Sequence, residues 1–488
     1  MYGKILLTGT ALAGVLAWGI WWANHPHASG PGAVTLEAKL SAALGVKSPG
    51  IVVTPAFDHY IVTFAPDRVA GKAGPDRPFF ATMTPWEVEL KPMEGGLWQV
   101  VAPPQDLAGR IVVAPNALAT LRIDYTAKGY ALAGIYDESL GFLRNWQTDL
   151  ATLEMVQSGA APLGAETPST VPTRLTGYHA SGTARPGGTG IDLVLSASNT
   201  AMTQEMVLPI GTGIAQVPFR VGPSHSETRI EGLRWAAILP LLAQAQRLSG
   251  AAEEPALRQI ASTAAAAMPL FDSFAASSET SDLVLALPQG PAGAARAGLE
   301  IAYSGTGAQT ALTYRIDVEG MSLPATVVPA WAGPLVPRDV RLDLGVAGYD
   351  PMGFLKAVLN DYAAGIVPDA AQMEQLFPNG KLALTLAPSR IAGPAYSLDF
   401  EGAFARKLSP QSRPDLVQGT AEMTGMEHVL AALGTAPDPE QVAPAVLALT
   451  ALQVIARREA AGRLRWDLEM GPEGIPNVNG TSLGDLLH

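Results

Sequence analysis

The seven histidines are the first residues of this chain that could carry acid–base or metal chemistry: His25, His27, His59, His179, His225, His428 and His488. A metal site needs several ligands at a fixed spacing and partners that orient them. Only His25 and His27 lie close together, on either side of Pro26, and no third ligand follows nearby. We therefore expect a solvated stub here and predict no metal-binding residue.

Two serine motifs could suggest a nucleophile. The run Gly480–Gly484 (GTSLG) matches the G-x-S-x-G pattern, but a nucleophile elbow needs a preceding strand, a following helix and a downstream acid and histidine. Only His488 follows as a base, so we interpret the run as a terminal turn. In Ser224–Ser226 (SHS), neighbouring extended side chains point to opposite faces, so His225 would meet neither serine. We expect a loop there.

The remaining patterns indicate no reactive set. The carboxylates of Asp67, Asp76, Glu253-Glu254 and Asp361 show no spacing typical of a metal loop or an acid–base pair. The chain has 0 cysteines, which excludes thiolate nucleophiles, disulfides and iron–sulfur clusters. A net charge of −12 argues against a nucleic-acid surface. We predict no catalytic residue, no cofactor and no cofactor-binding residue, and therefore no enzyme.

The first element that the sequence indicates is an uncharged apolar segment, Ile5–Ala23. As a helix of about 19 residues it would span about 29 Å, close to the hydrocarbon core of a bilayer. Lys4 precedes it and Trp18, Trp21 and Trp22 cluster at its far end, where aromatic rings favour the interface. We predict an inner-membrane anchor within residues 1–30 and a periplasmic body. A cleaved signal is the alternative, with the same topology.

The body has many short runs in which apolar residues alternate with polar ones, the period of a half-buried strand. Examples are Tyr60–Phe64, Trp86–Leu90, Leu97–Val101, Leu121–Tyr125, Ile191–Leu195, Leu312–Val318, Val340–Leu344, Lys381–Leu386, Tyr396–Phe400 and Leu464–Met470. Such patterns favour antiparallel sheets with one wet face. We predict a β-rich α+β fold: long, curved antiparallel sheets, short helices packed across them and one N-terminal transmembrane helix.

A loose internal repeat accompanies these strands. A strand reaches a glycine, and an apolar stretch compatible with a helix follows, at Gly232, Gly348 and Gly425, with a weaker copy at Gly320. Glycine permits a positive φ or a tight bend. We expect each of these glycines to turn the chain away from the sheet.

Two helical insertions interrupt the strands, at 235–274 and 441–461. Pro240, Gly250, Pro255 and Pro269 break the first into shorter pieces. The second has apolar residues at helical spacing and ends in Arg457-Arg458, which suits a helix C-terminus. The run Gly159–Pro172 is rich in Pro, Gly, Ser and Thr and is typical of a linker. We divide the body there, into residues 34–158 and 173–488.

The C-terminal part resembles a known family. From Thr420 the order is a strand with Gly425, a short helix, a long apolar helix and a strand at Leu464–Met470, followed by the run Gly471–Gly480 (GPEGIPNVNG). Together with the strand Leu335–Leu344 and the turn Phe377–Gly380, this order resembles the alphaproteobacterial domain-of-unknown-function family numbered 2125, over about residues 310–488. The resemblance implies an exported bacterial envelope protein with no assigned activity. The architecture is also similar, by fold-level analogy, to envelope proteins of the AsmA or YdgA kind.

These observations predict a non-enzymatic envelope protein, tethered to the inner membrane through Ile5–Ala23, whose sheet offers an apolar face to a lipid or another hydrophobic ligand. The alternative is that these apolar faces pack on helices and form a closed core, which the tendency of sheets to bury one face favours over an open groove. A scaffold that binds an envelope protein has the same sequence features. A hydrolase of an envelope polymer stays open as a third reading, because folding can bring together carboxylates that are distant in sequence.

Overall fold

The computed structural model describes residues 28–43, 50–65, 79–116, 119–159, 169–210, 213–247, 254–305, 309–366, 376–377, 380–407, 414–470 and 476–482. The predicted anchor Ile5–Ala23 and the pair His25 and His27 lie outside these residues. Within them, no helix combines the length and the apolar character needed to cross a bilayer.

The predicted fold class is confirmed in its main features, because the chain is rich in strand, its strands pair as long antiparallel ladders and its helices are short. The strands of the first half are β1 (Ile51–Pro55), β2 (Tyr60–Phe64), β3 (Phe79–Met83), β4 (Trp86–Pro92), β5 (Leu97–Asn116), β6 (Ala119–Asp137), β7 (Phe142–Gly159), β8 (Ser169–Pro186), β9 (Ile191–Asn199), β10 (Ala201–Ile210), β11 (Gly213–Val221) and β12 (Ser224–Leu233).

The strands of the second half are β13 (Ser273–Leu287), β14 (Gly290–Ser304), β15 (Ala311–Glu319), β16 (Asp339–Ala347), β17 (Lys381–Ala392), β18 (Ser397–Lys407), β19 (Pro414–Thr424), β20 (Arg457–Arg458), β21 (Leu464–Met470), β22 (Pro476–Val478) and β23 (Thr481–Ser482). The α-helices are α1 (Gly30–Ala43), α2 (Trp235–Arg247), α3 (Glu254–Ala267), α4 (Pro351–Ala364), α5 (Met426–Gly434) and α6 (Pro439–Ile455). Short 3₁₀ helices lie at Glu94–Gly96, Gly333–Leu335 and Ala460–Gly462.

The chain forms two compact units. The first comprises residues 1–195 and 234–256, and the second comprises residues 196–233 and 257–488. The predicted linker at 159–172 falls within the first unit. There β7 and β8 pair with each other as far as Gly159 and Ser169. The division into residues 34–158 and 173–488 stays a prediction.

The first unit is built on four long strands, β5 to β8, which pair in chain order. Two small apolar clusters stabilise its beginning. In one, Ile51, Val53, Tyr60 and Val62 of β1 and β2 are buried against α1. In the other, Val88, Val100 and Ala102 pack under aromatic side chains of neighbouring strands. Most other side chains of the long strands are only half-buried.

The second unit is a meander from β13 to β19, extended by β21, β22 and β23. Its largest buried cluster lies at the C-terminal end, where α5 and α6 cover Met423, Leu464 and Trp466. The indole Nε1 of Trp466 donates a hydrogen bond to the carbonyl oxygen of Leu452 at 2.8 Å. Asn479 ties the end of α6 to β21, because its side-chain amide donates to the carbonyl oxygens of Ile455 and Arg465.

The predicted helical insertions are helical over part of their ranges. The first contains α2 and α3, and residues from Ser273 onward belong instead to β13. The second contains α6, which ends at Ile455, so that Arg457-Arg458 form the strand β20. The helix ends before the arginines because Ala456 has an extended backbone. The N–H of Ala456 donates the last hydrogen bond of the helix, to the carbonyl oxygen of Leu452.

The predicted role of the repeat glycines is confirmed. Gly232, Gly348 and Gly425 have φ angles of 64°, 72° and 77°, and a helix begins within three residues of each. Gly320 also has a positive φ, of 65°, but an irregular segment follows it. A positive φ is strained for residues with a side chain, so glycine is required where each strand turns away from the sheet.

Replacing Gly425 tests this requirement. A Cβ atom at this position would lie 2.0 Å from the carbonyl oxygen of Ala395, in addition to the cost of the left-handed backbone. We expect Gly425→Ala to lower the free energy of unfolding by about 2 kcal/mol or more. Gly434→Ala, at the end of the following helix, is the matched control, because its Cβ would meet nothing within 4 Å. Equal thermal unfolding midpoints for the two variants would contradict the prediction.

Candidate functional site

The strand register of the second unit separates apolar from charged residues. Residues directly opposite each other on paired strands share a face, and alternate residues along a strand point to opposite faces. One register row runs across six strands through Phe274, Tyr303, Leu312, Val346, Leu384 and Phe404. A neighbouring row on the other face runs through Ser277, Glu300, Arg315 and Asp343. The sheet therefore has one apolar face and one charged face.

The apolar face continues over several rows between β14 and β18. Its further members are Leu299, Ile301, Tyr314, Ile316, Leu342, Leu344, Leu386 and Phe400. Neighbouring strands lie about 4.8 Å apart, so five strands give an apolar floor about 19 Å wide. The floor is incompletely covered: 45% of Leu344 and 38% of Leu384 are exposed to solvent, although both are large aliphatic residues.

The same face becomes polar toward β12 and β13. There it carries the hydroxyl side chains of Ser224, Ser226, Thr228, Ser278 and Thr280. Ser224 donates a hydrogen bond to the amide oxygen of Asn199. We call this set, with Asn199, the hydroxyl edge. None of its members is charged, so it can exchange hydrogen bonds with a neutral polar group but offers no ion pair.

Two buried atoms of the hydroxyl edge lack a hydrogen-bond partner. They are Oγ1 of Thr280 and Nδ2 of Asn199. A buried polar atom without a partner costs roughly 1–3 kcal/mol, and such atoms mark places where a water molecule or a ligand completes the bonding. The hydroxyl edge therefore retains unused hydrogen-bonding capacity beside the apolar floor.

Tyr303 lies on the apolar face near the C-terminal end of β14, opposite Phe274 of β13, and is buried. Burial is the main cause that raises the pKa of its phenol to about 12, and the negative charge of Asp350 adds to the effect. The hydroxyl therefore stays protonated at neutral pH, and it too has no hydrogen-bond partner. Phe271 packs edge-on against its ring, with the ring centroids 6.1 Å apart.

The charged face is covered by a network of cross-strand ion pairs. Arg315 on β15 binds Glu300 on β14 at 3.0 Å and also binds Asp343 on β16. Arg296 binds Glu279 at 2.7 Å, and Arg465 binds Glu422 at 3.0 Å. The hydrogen bond to Asp343 raises the pKa of Arg315, and the bond from Arg296 lowers the pKa of Glu279. Both shifts favour the charged forms of Arg315 and Glu279.

Four shallow depressions lie on the charged face, with volumes of about 250, 400, 300 and 400 Å³. Arg315 and Arg341 each line more than one of them. The carboxylates that line these depressions are largely held in ion pairs. Glu300 and Asp343 both bind Arg315, and Glu279 binds Arg296. A general acid or base must be able to exchange its proton with a substrate, and these ion pairs oppose that.

The serine–histidine motif Ser224–Ser226 lies in the strand β12, so our expectation of a loop was wrong. The segment is paired with β13 as an antiparallel strand, and His225 lies opposite Glu279. The expected separation of the side chains is confirmed, because Ser224 and Ser226 belong to the hydroxyl edge and His225 belongs to the charged face. The histidine and the serines therefore do not meet.

The other singled-out residues are scattered. Thr481 and Ser482 form β23 after a turn at Asn479-Gly480, so the predicted terminal turn is the bend of a small hairpin. Asp361 lies in α4 and Glu254 begins α3. Asp67, Asp76, Glu253 and His488 lie outside the described residues. Among the residues that the structure describes, no group of three or more acidic or histidine side chains is arranged to hold a metal ion.

Comparisons of this chain with protein-family models, curated proteins and solved structures find no match.

The buried part of the charge network can be tested with one substitution. Asp343 is only 15% exposed, so Arg315→Met would leave a largely buried carboxylate without its partner. We expect the free energy of unfolding to fall by about 1–2 kcal/mol at neutral pH. Arg296→Met is the control, because its partner Glu279 is 56% exposed and solvent replaces the lost contact. Chemical denaturation of both variants should give the larger loss for Arg315→Met, and the reverse order would refute this assignment.

Proposed function

We propose that this protein is a non-enzymatic component of the bacterial cell envelope that binds a lipid through the apolar sheet face of its second unit. The observation that carries the proposal is the incompletely covered floor between β14 and β18, where Leu344 and Leu384 remain exposed on an otherwise ordered sheet. Contiguous exposed apolar surface of this kind marks ligand or partner sites more often than a free surface. An acyl chain is the ligand that an aliphatic floor without charges fits.

The driving force for such binding is removal of apolar surface from water. Each buried methylene group contributes about 0.8 kcal/mol. The floor is about 19 Å wide across the strands, so many methylene groups of one chain can contact it. Rows of aliphatic residues and aromatic rings line this path, while the ion pairs lie on the opposite face and do not hinder an uncharged chain.

The hydroxyl edge supports a defined orientation for the lipid. Its serines and threonines share the face with the aliphatic floor and lie toward β12. An ester or amide linkage of a lipid offers neutral acceptors and donors that match hydroxyl and amide side chains. We therefore propose that the acyl chain runs over β14–β18 and that the neutral linkage region lies at the hydroxyl edge.

The location of the protein belongs to the same proposal. The uncharged segment Ile5–Ala23, the preceding Lys4 and the three tryptophans support an anchor in the inner membrane with the body in the periplasm. The resemblance to family 2125 supports export to the envelope. Curvature of the sheet and the N-terminal transmembrane helix are part of this proposal.

A lipid-binding role is favoured over hydrolysis because the carboxylates of the depressions hold arginines, as for Glu300 and Asp343 with Arg315. If the protein were a scaffold, the same apolar sheet face would contact another protein instead of a lipid. The test below separates lipid from protein as the occupant.

A lipid with a photoreactive diazirine in its acyl chain tests the proposal. The full-length protein is reconstituted in vesicles that contain this lipid, irradiated and digested, and the labelled peptides are identified by mass spectrometry. We expect labels within β14–β18 in addition to the N-terminal segment. Labels confined to the N-terminal segment would refute the lipid site and leave the scaffold role.

Substitutions on the two faces give the matched comparison. Leu344→Gln and Leu384→Gln place an amide on the apolar floor, and each should reduce labelling there about five-fold, corresponding to about 1 kcal/mol of lost apolar contact. Thr313→Gln is the control, because Thr313 is exposed on the charged face of the same sheet. Its labelling should equal that of the wild type. Equal labelling of all three variants would contradict the assignment of the face.

A further inference from the structure

The phenol hydroxyl of Tyr303 is a polar group that the folded second unit leaves unbonded. Tyr303 is 7% exposed, and its hydroxyl has no hydrogen-bond partner among the described residues. Phe271 packs edge-on against its ring, and its side chain lies on the same sheet face as the apolar floor. Buried hydroxyl groups are nearly always hydrogen-bonded, because an unbonded one costs free energy. The Tyr303 hydroxyl therefore requires a partner from outside the chain.

Two more unbonded polar atoms lie toward the other end of the same face. They are Oγ1 of Thr280 and Nδ2 of Asn199, both in the hydroxyl edge. Tyr303 is paired with Phe274 on the neighbouring strand, and Thr280 follows Phe274 on that strand at the sixth position. At about 3.4 Å per residue, Tyr303 and Thr280 are separated by about 20 Å along the strand direction. The apolar face therefore has an unsatisfied polar group near each end.

Apolar side chains occupy the stretch between these polar groups. On β14 they are Leu299 and Ile301, which share the face of Tyr303, and Leu299 is 36% exposed. Ile316 lies beside Leu299 on β15 and continues the apolar surface. The hydrocarbon core of a bilayer is about 30 Å thick, so an acyl chain of one leaflet extends about 15 Å. A chain whose linkage lies at the hydroxyl edge therefore brings its far end close to Tyr303.

The surroundings of Tyr303 select the kind of group that can meet its hydroxyl. Asp350 caps α4 by accepting a hydrogen bond from the backbone N–H of Gly353 at 2.9 Å, and its negative charge acts on the Tyr303 phenol. A carboxylate or phosphate at this place would be repelled by Asp350. A hydroxyl group is neutral and both donates and accepts hydrogen bonds, so it fits the phenol in either orientation of its proton.

We propose that the lipid bound on the sheet face carries a hydroxyl group near the far end of its acyl chain, and that Tyr303 recognises this hydroxyl. The chain then runs along the strands, over Leu299 and Ile301, from the hydroxyl edge to Tyr303. The inference rests on the proposed lipid site and adds the chemical class of the lipid. Tyr303 is a specificity-determining residue in this arrangement, because an unsubstituted chain leaves its hydroxyl unbonded.

Competition against the photoreactive lipid tests the proposal. The full-length protein is irradiated in the same vesicles after addition of methyl 16-hydroxyhexadecanoate or methyl hexadecanoate. The two esters have the same chain length and the same neutral linkage and differ only in the terminal hydroxyl. We expect the hydroxylated ester to halve the labelling of β14–β18 at a mole fraction about five-fold lower than that of the plain ester, which is the effect of one hydrogen bond.

A conservative substitution assigns this preference to Tyr303. Tyr303→Phe removes only the phenol oxygen, so it should leave competition by the plain ester unchanged and abolish the five-fold advantage of the hydroxylated ester. Tyr362→Phe is the matched control, because Tyr362 is 38% exposed on α4 and should keep the full advantage. Thermal unfolding midpoints of the two variants establish that both are folded.

The outcomes separate failure of this inference from failure of the lipid site. Equal competition by the two esters in the wild type would leave the lipid site intact and overturn the hydroxylated chain, with water as the partner of Tyr303. Persistence of the five-fold advantage in Tyr303→Phe would place hydroxyl recognition elsewhere and overturn the role of this residue. Absence of competition by either ester would refute the lipid site and the inference together.

Discussion

Strand register is the constraint on which the second unit depends. Because side chains alternate with a period of two, a slip of one residue would exchange the apolar and charged faces of a strand. The strand β17 shows how the register is kept, since it has one residue more than either neighbour between Leu386 and Arg390. Ser389, which is buried in this bulge, accepts a hydrogen bond from the backbone of Asp343 and donates one to Ala387. The bulge absorbs the extra residue, so both faces continue across it.

This separation of faces explains how a sheet with so few fully buried residues holds together. The backbone ladders and the ion pairs stabilise the sheet from its charged face, while α5 and α6 cover its apolar face at the C-terminal end. The repeat glycines release the chain at strand ends, so the helices begin at the margins of the sheet rather than over its middle. Leu344 and Leu384, in the middle of the apolar face, remain partly exposed, and this exposure is the basis of the proposed lipid site.

The sequence predicts the local part of this architecture well. Alternation in Leu312–Val318 and Val340–Leu344 indicates strands with one apolar face, and the glycines at 232, 348 and 425 indicate where strands end. The site itself depends on which strands pair and in which register, and these contacts between distant residues leave no local pattern. Ser224–Ser226 shows the limit, because this polar segment has no apolar alternation and becomes a strand by pairing with the distant β13. The hydroxyl edge was missed for the same reason.

Among the described residues of the second unit, the sheet floor and the outer side of α6 are apolar surfaces of different kinds. The residues of the sheet floor are half-covered by their neighbours, and polar groups at the hydroxyl edge limit it on one side. A partly enclosed surface with a polar end favours one bound molecule with a chain and a linkage, because such a ligand satisfies both ends. On the outer side of α6, by contrast, Leu447 and Val454 are 73% and 79% exposed, so little of either side chain is enclosed by neighbours.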